Sequence, residues 1–256
     1  MEEYLRKISG FLAFVLTFVF SAYLYFTAKG FVYENGTLVL KTQTAHAEDI
    51  KNGIAVVLPN NININASNKY AVGPANAPLT MYEYSSLGCP HCADFHLSSV
   101  PKLEKEFVSQ GVLRIVFVNF PLDKKSMEGA MLSQCMTYEN YHDFITRLFD
   151  RQRFWLLAGD DTPLLKYAAE YGLSYDEAES CKNDNALASS IIADRQQAIS
   201  QLKMEGTPAF LISGADGNEI IYGQPRYSDL VNYIRSRLQR LGYVMESKNN
   251  PKITAN

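Results

Sequence analysis

No long basic run occurs in the 256 residues, and the formal net charge is −3 with a sequence pI of about 5.8. That balance lacks the positive stripe that nucleic-acid binding needs, so no nucleic-acid partner is expected. Cysteine is scarce: the chain has 4, and only one Cys-x-x-Cys pair. A zinc site would need two more converging ligands, with His96 the nearest candidate, so no metal is expected. No cysteine lies near the N-terminus, which excludes a lipid-modified N-terminal cysteine. Internal repeats are absent as well. Hydrophobic content of 47% is ample for a core, and the length allows one large domain or two small ones.

What the N-terminus does have is an uncharged apolar run from Ile8 to Ala28, preceded by Arg6-Lys7 and followed by Lys29. It is long enough to span a membrane and longer than a typical signal core. The basic pair places the N-terminus in the cytoplasm and the remainder outside it. Ala45-His46-Ala47 has the small-x-small form of a cleavage site but lies far past the run. Ala28-Lys29-Gly30 is better placed and worse in sequence. Residues 1–30 therefore read as a signal peptide or a membrane anchor, with a buried helix of a cytosolic protein the blander reading. Phe31 to Leu40, centred on Glu34-Asn35-Gly36, predicts a small hairpin. An Asn-rich tract follows, so 31–68 reads as a linker and 41–68 as a weakly structured tether.

The chemistry concentrates in Glu83-Tyr84-Ser85-Ser86-Leu87-Gly88-Cys89-Pro90-His91-Cys92. Met81 to Tyr84 predict a strand, and Gly88 breaks it. Phe95, Leu97, Val100, Leu103 and Phe107 then fall at helical spacing. Two thiols at a helix start place the first beside unpaired backbone N–H groups and the positive end of the helix dipole. That favours a thiolate, which is the species that attacks and leaves in disulfide exchange. Cys89 is expected exposed and Cys92 buried. Pro90 loses no useful N–H at the first turn. The His91 ring is expected to stabilise the Cys89 thiolate. Ala93, directly after the second cysteine, rules out haem attachment. A purely structural bridge is the blander alternative, though bridges this local are usually the labile kind.

Val112 to Phe120 predict a strand buried on both faces, completing a βαβ unit. Met127, Met131, Cys135, Tyr138, Tyr141, Ile145 and Leu148 mark one face of a single long helix. Met127, Met131 and Met136 read as helix core rather than a peptide-binding surface. Thr162-Pro163 and the capping box Ser174–Glu177 open further helices. Strands return at Ala209–Ser213 and Glu219–Tyr222, and Leu230, Tyr233, Ile234 and Leu238 predict a last helix. Helix periodicity puts Cys135 and Cys181 on apolar faces of one helical block. With Cys89 and Cys92 paired locally, these two are left to bridge; the blander reading is two buried free thiols. His46, His96 and His142 have no evident partner.

The Cys89-Pro90-His91-Cys92 motif with its preceding strand resembles the active site of DsbA-like thiol:disulfide oxidoreductases. Gly206-Thr207-Pro208-Ala209-Phe210 is similar to that family's cis-proline loop. The resemblance covers Tyr70 to Leu241. It implies an α/β architecture, a thioredoxin fold interrupted by an all-helical insertion. The expected division is 69–124, an insertion at 125–200 capping the active site, 201–245, and a loose tail at 246–256. It implies catalytic roles for Cys89, Cys92, His91 and Glu83, the last as a buried acid that takes the proton of Cys92. A half-exposed strand Glu is the blander reading of Glu83. Pro90, Thr207 and Pro208 would receive an extended substrate, although Pro208 could simply start a strand. Family members often carry cysteines near 135 and 181. The resemblance further implies no cofactor, reduced exported proteins as substrates, and a DsbB-like membrane re-oxidant. The location would be periplasmic, soluble after cleavage or tethered to the inner membrane. Residues 1–68 are too short and polar for a dimerisation domain, so a monomer is expected. A disulfide isomerase or reductase of the same compartment, and a non-catalytic surface protein on this fold, remain as alternatives.

Overall fold

The computed structural model describes residues 31–34, 37–40, 55–59, 62, 70–245 and 253–255. The apolar run Ile8–Ala28, the cleavage sites and His46 lie outside them. Among the described residues no helix is long and apolar enough to cross a membrane. Residues 1–53 form one unit, which holds an antiparallel hairpin of β1 (Phe31–Glu34) and β2 (Thr37–Leu40). The second unit, residues 54–256, holds the rest.

Six strands make its sheet: β3 (Val56–Leu58), β4 (Ala71–Val72), β5 (Leu79–Ser85), β6 (Leu113–Asn119), β7 (Ala209–Gly214) and β8 (Gly217–Tyr222). Their order is β3-β8-β7-β5-β6-β4. Central β5 runs parallel to β6 and antiparallel to β7, so Met81 faces Ile115 on one side and Ile212 on the other. The pleat alternates side chains between faces. Leu79, Met81, Ile115, Phe117, Phe210 and Ile212 therefore share one core with Phe95 and Phe107. Tyr84, Val116, Val118, Ala209 and Leu211 share the opposite core with Leu202. Val56–Leu58, read from sequence as tether, pairs with β8 as an edge strand. Three alternating residues are too short a run to stand out beside the Asn-rich tract.

Between β5 and β6 lie α1 (Pro90–Ser98), α2 (Val100–Leu103) and a π-helical turn, Glu104–Val108. Sequence predicts one helix kinked at Pro101. The bend falls at Ser99, two residues ahead of Pro101, with helical hydrogen bonds continuing on both sides of it, from Ser99 N–H to the Phe95 carbonyl and from Leu103 N–H to the Ser99 carbonyl; Pro101 has no N–H to offer the carbonyl four residues back.

The insertion comprises α3 (Lys124–Cys135), α4 (Tyr138–Asp150), α5 (Gln152–Leu156), α6 (Thr162–Glu170), α7 (Tyr175–Lys182) and α8 (Asn185–Leu202). The single long helix expected across 127–148 is two. Thr137 accepts from the Asn140 N–H and caps a new start, and an apolar stripe cannot register such a cap. Met131 and Met136 are buried. Cys135 and Cys181 are joined by a disulfide, with Cα atoms 6.4 Å apart, fastening α3 to α7. Trp155 is buried and donates to the Leu148 carbonyl at 2.8 Å, and the Lys125 ammonium grips the carbonyls of Trp155, Leu156 and Ala158.

The last helix, α9 (Tyr227–Arg240), carries Arg237, a fully buried cation. Its guanidinium meets Asp216 at 2.6 Å and the Gly217 carbonyl at 2.9 Å, locking α9 to the β7–β8 turn. The tail expected to be loose contributes β10 (Ile253–Ala255), paired antiparallel with β9 (Tyr243–Met245).

Candidate active site

Strand register assembles the site. Tyr84 near the end of β5 faces Ala209 at the start of β7. The residue before Ala209 is Pro208, and the Thr207–Pro208 bond is cis. It therefore lies at the same end of the sheet from which Ser86–Gly88 leads into α1. Cys89 is the N-cap of α1, with Pro90 in the first turn. The Cys89 thiol donates to the Thr207 carbonyl at 3.5 Å. Both motif cysteines are free thiols.

Cys92 is fully buried, and Cys89 is only 7% exposed, less than its place at a helix start suggests. Thr207 covers it on one side. On the other the insertion reaches in through Gln152, whose amide donates to the carbonyls of Leu87 at 2.8 Å and Cys89 at 3.0 Å. The Cys89 thiol is pulled down from 9 to about 5. The hydrogen bond from the Cys92 thiol contributes most. Burial opposes it, and the Thr207 side chain and the N–H groups of Cys92 and His91 add to it. No full cap hydrogen bond reaches the neutral thiol, so those amides act chiefly through their dipoles. Cys92 is pushed far up, first by burial and then by its role as donor to Cys89.

The His91 ring differs from expectation. It turns to Gln224, with Nδ1 3.3 Å from Oε1, while the Gln224 amide also donates to Asp94. Gly223 fixes this loop by donating to the Pro208 carbonyl at 2.9 Å. What His91 gives Cys89 is its backbone N–H, not its imidazole.

Glu83 is fully buried. Two strand residues and four helix residues each advance about 6 Å, so Glu83 and Ser85 on one face of β5 match His96 and Cys92 on the facing side of α1. His96 Nδ1 lies 4.0 Å from Glu83 Oε1. The Ser85 hydroxyl offsets part of the burial penalty of both Glu83 and Cys92. It closes no full hydrogen bond, and neither do the Glu83 oxygens nor His96 Nδ1. Burial raises the Glu83 carboxyl from 4.5 to about 8. Burial, aided by His142, holds His96 down at about 3. The two face each other uncharged near neutrality, because desolvation of each ion outweighs their mutual attraction at this spacing. His96 Nε2 pairs with the Thr146 hydroxyl at 2.9 Å, and the His96 and His142 rings lie 5.5 Å apart. A cavity of about 10 Å³, near the size one water needs, is lined by Glu83, Ser85 and Asn119. Among the described residues no group of three His, Cys, Asp or Glu side chains could hold a metal ion.

Sequence reading missed Ser85, Gln152 and the pairing of His96. The first and last had a signal, the Glu-x-Ser and Cys-x-x-x-His spacings on facing elements. Gln152 had none.

Comparison with known proteins agrees with this architecture. A family model described as Thioredoxin matches residues 65–235. A Rickettsia typhi protein, provisionally named a protein-disulfide oxidoreductase, is 26% identical over 153 residues, covering 58% of this chain and 56% of that one. The match thus spans little more than half the length of that relative. The crystal structure of Wolbachia pipientis alpha-DsbA1 is 28% identical with a TM-score of 0.60, covering 72% of this chain and 96% of that one. Oxidised BdbD from Bacillus subtilis, at 20% identity and a TM-score of 0.59 over 72% and 98% of the two chains, shares the fold. The chain belongs to the thioredoxin family, in the DsbA-like form whose fold is interrupted by a helical insertion.

Proposed function

We propose that this chain is an exported thiol:disulfide oxidoreductase that introduces disulfides into reduced proteins. The observation that carries the reading is the placement of two free thiols: Cys89 caps the start of α1 against the Thr207 carbonyl, beside the cis Thr207–Pro208 bond, and Cys92 is fully buried behind it, an arrangement that holds Cys89 down as a thiolate and pushes Cys92 up. A stabilised Cys89 thiolate stabilises the dithiol form, which makes the disulfide form the better oxidant, by roughly 30 mV for each 1.4 kcal/mol.

The cycle starts with Cys89 and Cys92 bridged. An extended substrate lies along Thr207 and Pro208, beside Pro90, and its thiolate attacks Cys89 Sγ. The Cys89–Cys92 bond breaks and Cys92 leaves. Cys92 needs a proton in this buried place, and the neutral Glu83 carboxyl, buried on the facing strand, supplies it. A second substrate thiolate then attacks the substrate sulfur of the mixed disulfide. Cys89 leaves as a thiolate, its stable form. Substrate gives two electrons to the enzyme and two protons to solvent, and the enzyme is left with Cys89 as a thiolate, Cys92 as a thiol and Glu83 as a carboxylate. A DsbB-like membrane partner would take those electrons, and Cys92 would return its proton to Glu83. The charged pair Arg6-Lys7 ahead of the apolar run supports export, with the catalytic unit periplasmic, either released by cleavage or tethered to the inner membrane. The chain would act as a monomer without a bound cofactor. His91 would tune the site through its backbone N–H and through the ring's hold on Gln224.

Equilibration of the Cys89–Cys92 pair against glutathione tests the direction. A potential well above the roughly −270 mV of thioredoxin is expected. A value at or below that figure would replace the oxidase reading with a reductase.

A further inference from the structure

The turn that delivers Cys89 does not satisfy its own backbone. The Ser86 carbonyl accepts from the Cys89 N–H at 3.0 Å, and the Cys89 carbonyl takes the first helical bond from Ala93 at 3.1 Å. The Leu87 carbonyl and the remaining lone pair of the Cys89 carbonyl are met from outside the thioredoxin fold by the amide of Gln152. That side chain is itself only 7% exposed. Its anchor is stiff, since α5 is pinned by Trp155 to α4 and by Lys125 to α3. The insertion also presses the turn from two more sides. A side chain at Gly129 would meet Leu87 Cδ1 at 3.1 Å, and one at Gly88 would meet the Asp123 carboxylate at 2.9 Å.

We propose that Gln152, carried by the helical insertion, is a positioning residue for Cys89. Its grip on the two carbonyls fixes the direction from which the first-turn amides meet the sulfur, and so sets how readily Cys89 ionises. The physical link is one torsion. Cys89 has ψ of 122°. Rotation about that bond swings the Cys89 carbonyl, and with it the whole start of α1, relative to Sγ. A carbonyl held at both its lone pairs cannot swing, so the N–H groups of His91 and Cys92 stay aimed at the sulfur. Without the clamp the start of α1 can rock, and the thiolate loses part of its amide support. This assigns the insertion a chemical task beyond covering the site, and it rests on the oxidoreductase reading above.

The test uses the full reduced chain and follows the ultraviolet absorbance of the Cys89 thiolate against pH. Gln152→Met keeps the volume and removes both donors; Gln152→Ala serves if the methionine variant does not fold. The expected result is a Cys89 midpoint raised by roughly one unit, with a matching tenfold shift of the glutathione equilibrium toward a weaker oxidant. A Cys135→Ala/Cys181→Ala double variant, which loosens the insertion away from the clamp, should lose thermal stability and titrate Cys89 as wild type does. If Gln152→Met loses stability but leaves the Cys89 midpoint in place, the clamp is structural only and the proposal falls. An ordinary thiol midpoint in the wild-type chain would instead count against the oxidase reading, and the difference between wild type and variant would still decide the role of Gln152.

Discussion

At the scale of the residue, Glu83 holds a proton that the unfolded chain gives up. Its folded value of about 8 lies above the unfolded 4.5, so its contribution to stability is full below about pH 4.5 and is lost as pH rises toward 8. The loss is at most about 1.4 kcal/mol per pH unit. Denaturant unfolding of the oxidised protein should therefore show stability falling between neutrality and pH 8, and Glu83→Gln should remove that slope. An unchanged slope would mean the carboxyl is already ionised. Cys89 has the opposite sign. Its folded value of about 5 lies below the unfolded 9, so the reduced protein gains stability across that window. The oxidised protein has no thiol there to titrate. The gap between reduced and oxidised stability should widen as pH rises from about 5 to 9, and paired unfolding curves at several pH values measure it. Because the Cys92 thiol is the largest support of the Cys89 thiolate, Cys92→Ala should raise the Cys89 midpoint by roughly one unit or more. A midpoint unmoved in that variant would transfer the credit to the helix amides.

At the scale of the element, the elements pressing on the active-site turn set what can be changed. Gly88→Ala would drive a methyl group into the Asp123 carboxylate and Ser126, the capping box of α3. It should destabilise by about 1–3 kcal/mol in thermal or denaturant unfolding, as overpacking does. The Cys135–Cys181 bridge spans 46 residues, and its removal should cost up to about 4 kcal/mol on loop-closure grounds. With Cys181 buried, it should also outlast Cys89–Cys92 under a graded reductant, read by mass spectrometry of alkylated peptides. The elements also mark where sequence is legible. Period-two and period-3.6 patterns carried β5, β6 and the helices, because burial imposes them directly. They did not carry the restart at Thr137, where one hydroxyl overrides an unbroken apolar stripe, and the bend at Ser99 was legible only through Pro101. In the site, Cys89, Cys92 and Pro208 were legible because their chemistry is local. Gln152 was not: its role arises from a contact across more than sixty residues, and nothing near it in sequence distinguishes it from a solvated glutamine.

At the scale of the whole molecule, the sheet is assembled out of chain order. β5 has β6 on one side soon after it is made, but its other neighbour, β7, comes only after the entire insertion. Closing so long a loop costs entropy, and an insertion that has already folded shortens the distance to be closed. All four cysteines precede β7, and Thr207 precedes it by two residues. On the export proposed above, a chain threaded outward from its N-terminus presents every one of its thiols before β7, and Thr207 just ahead of it, have arrived. For that interval the protein is a reduced, unfinished polypeptide with four thiols and three ways to pair them. On the proposed activity, that is the material a finished copy acts on, so each new molecule begins as a client of those made before it.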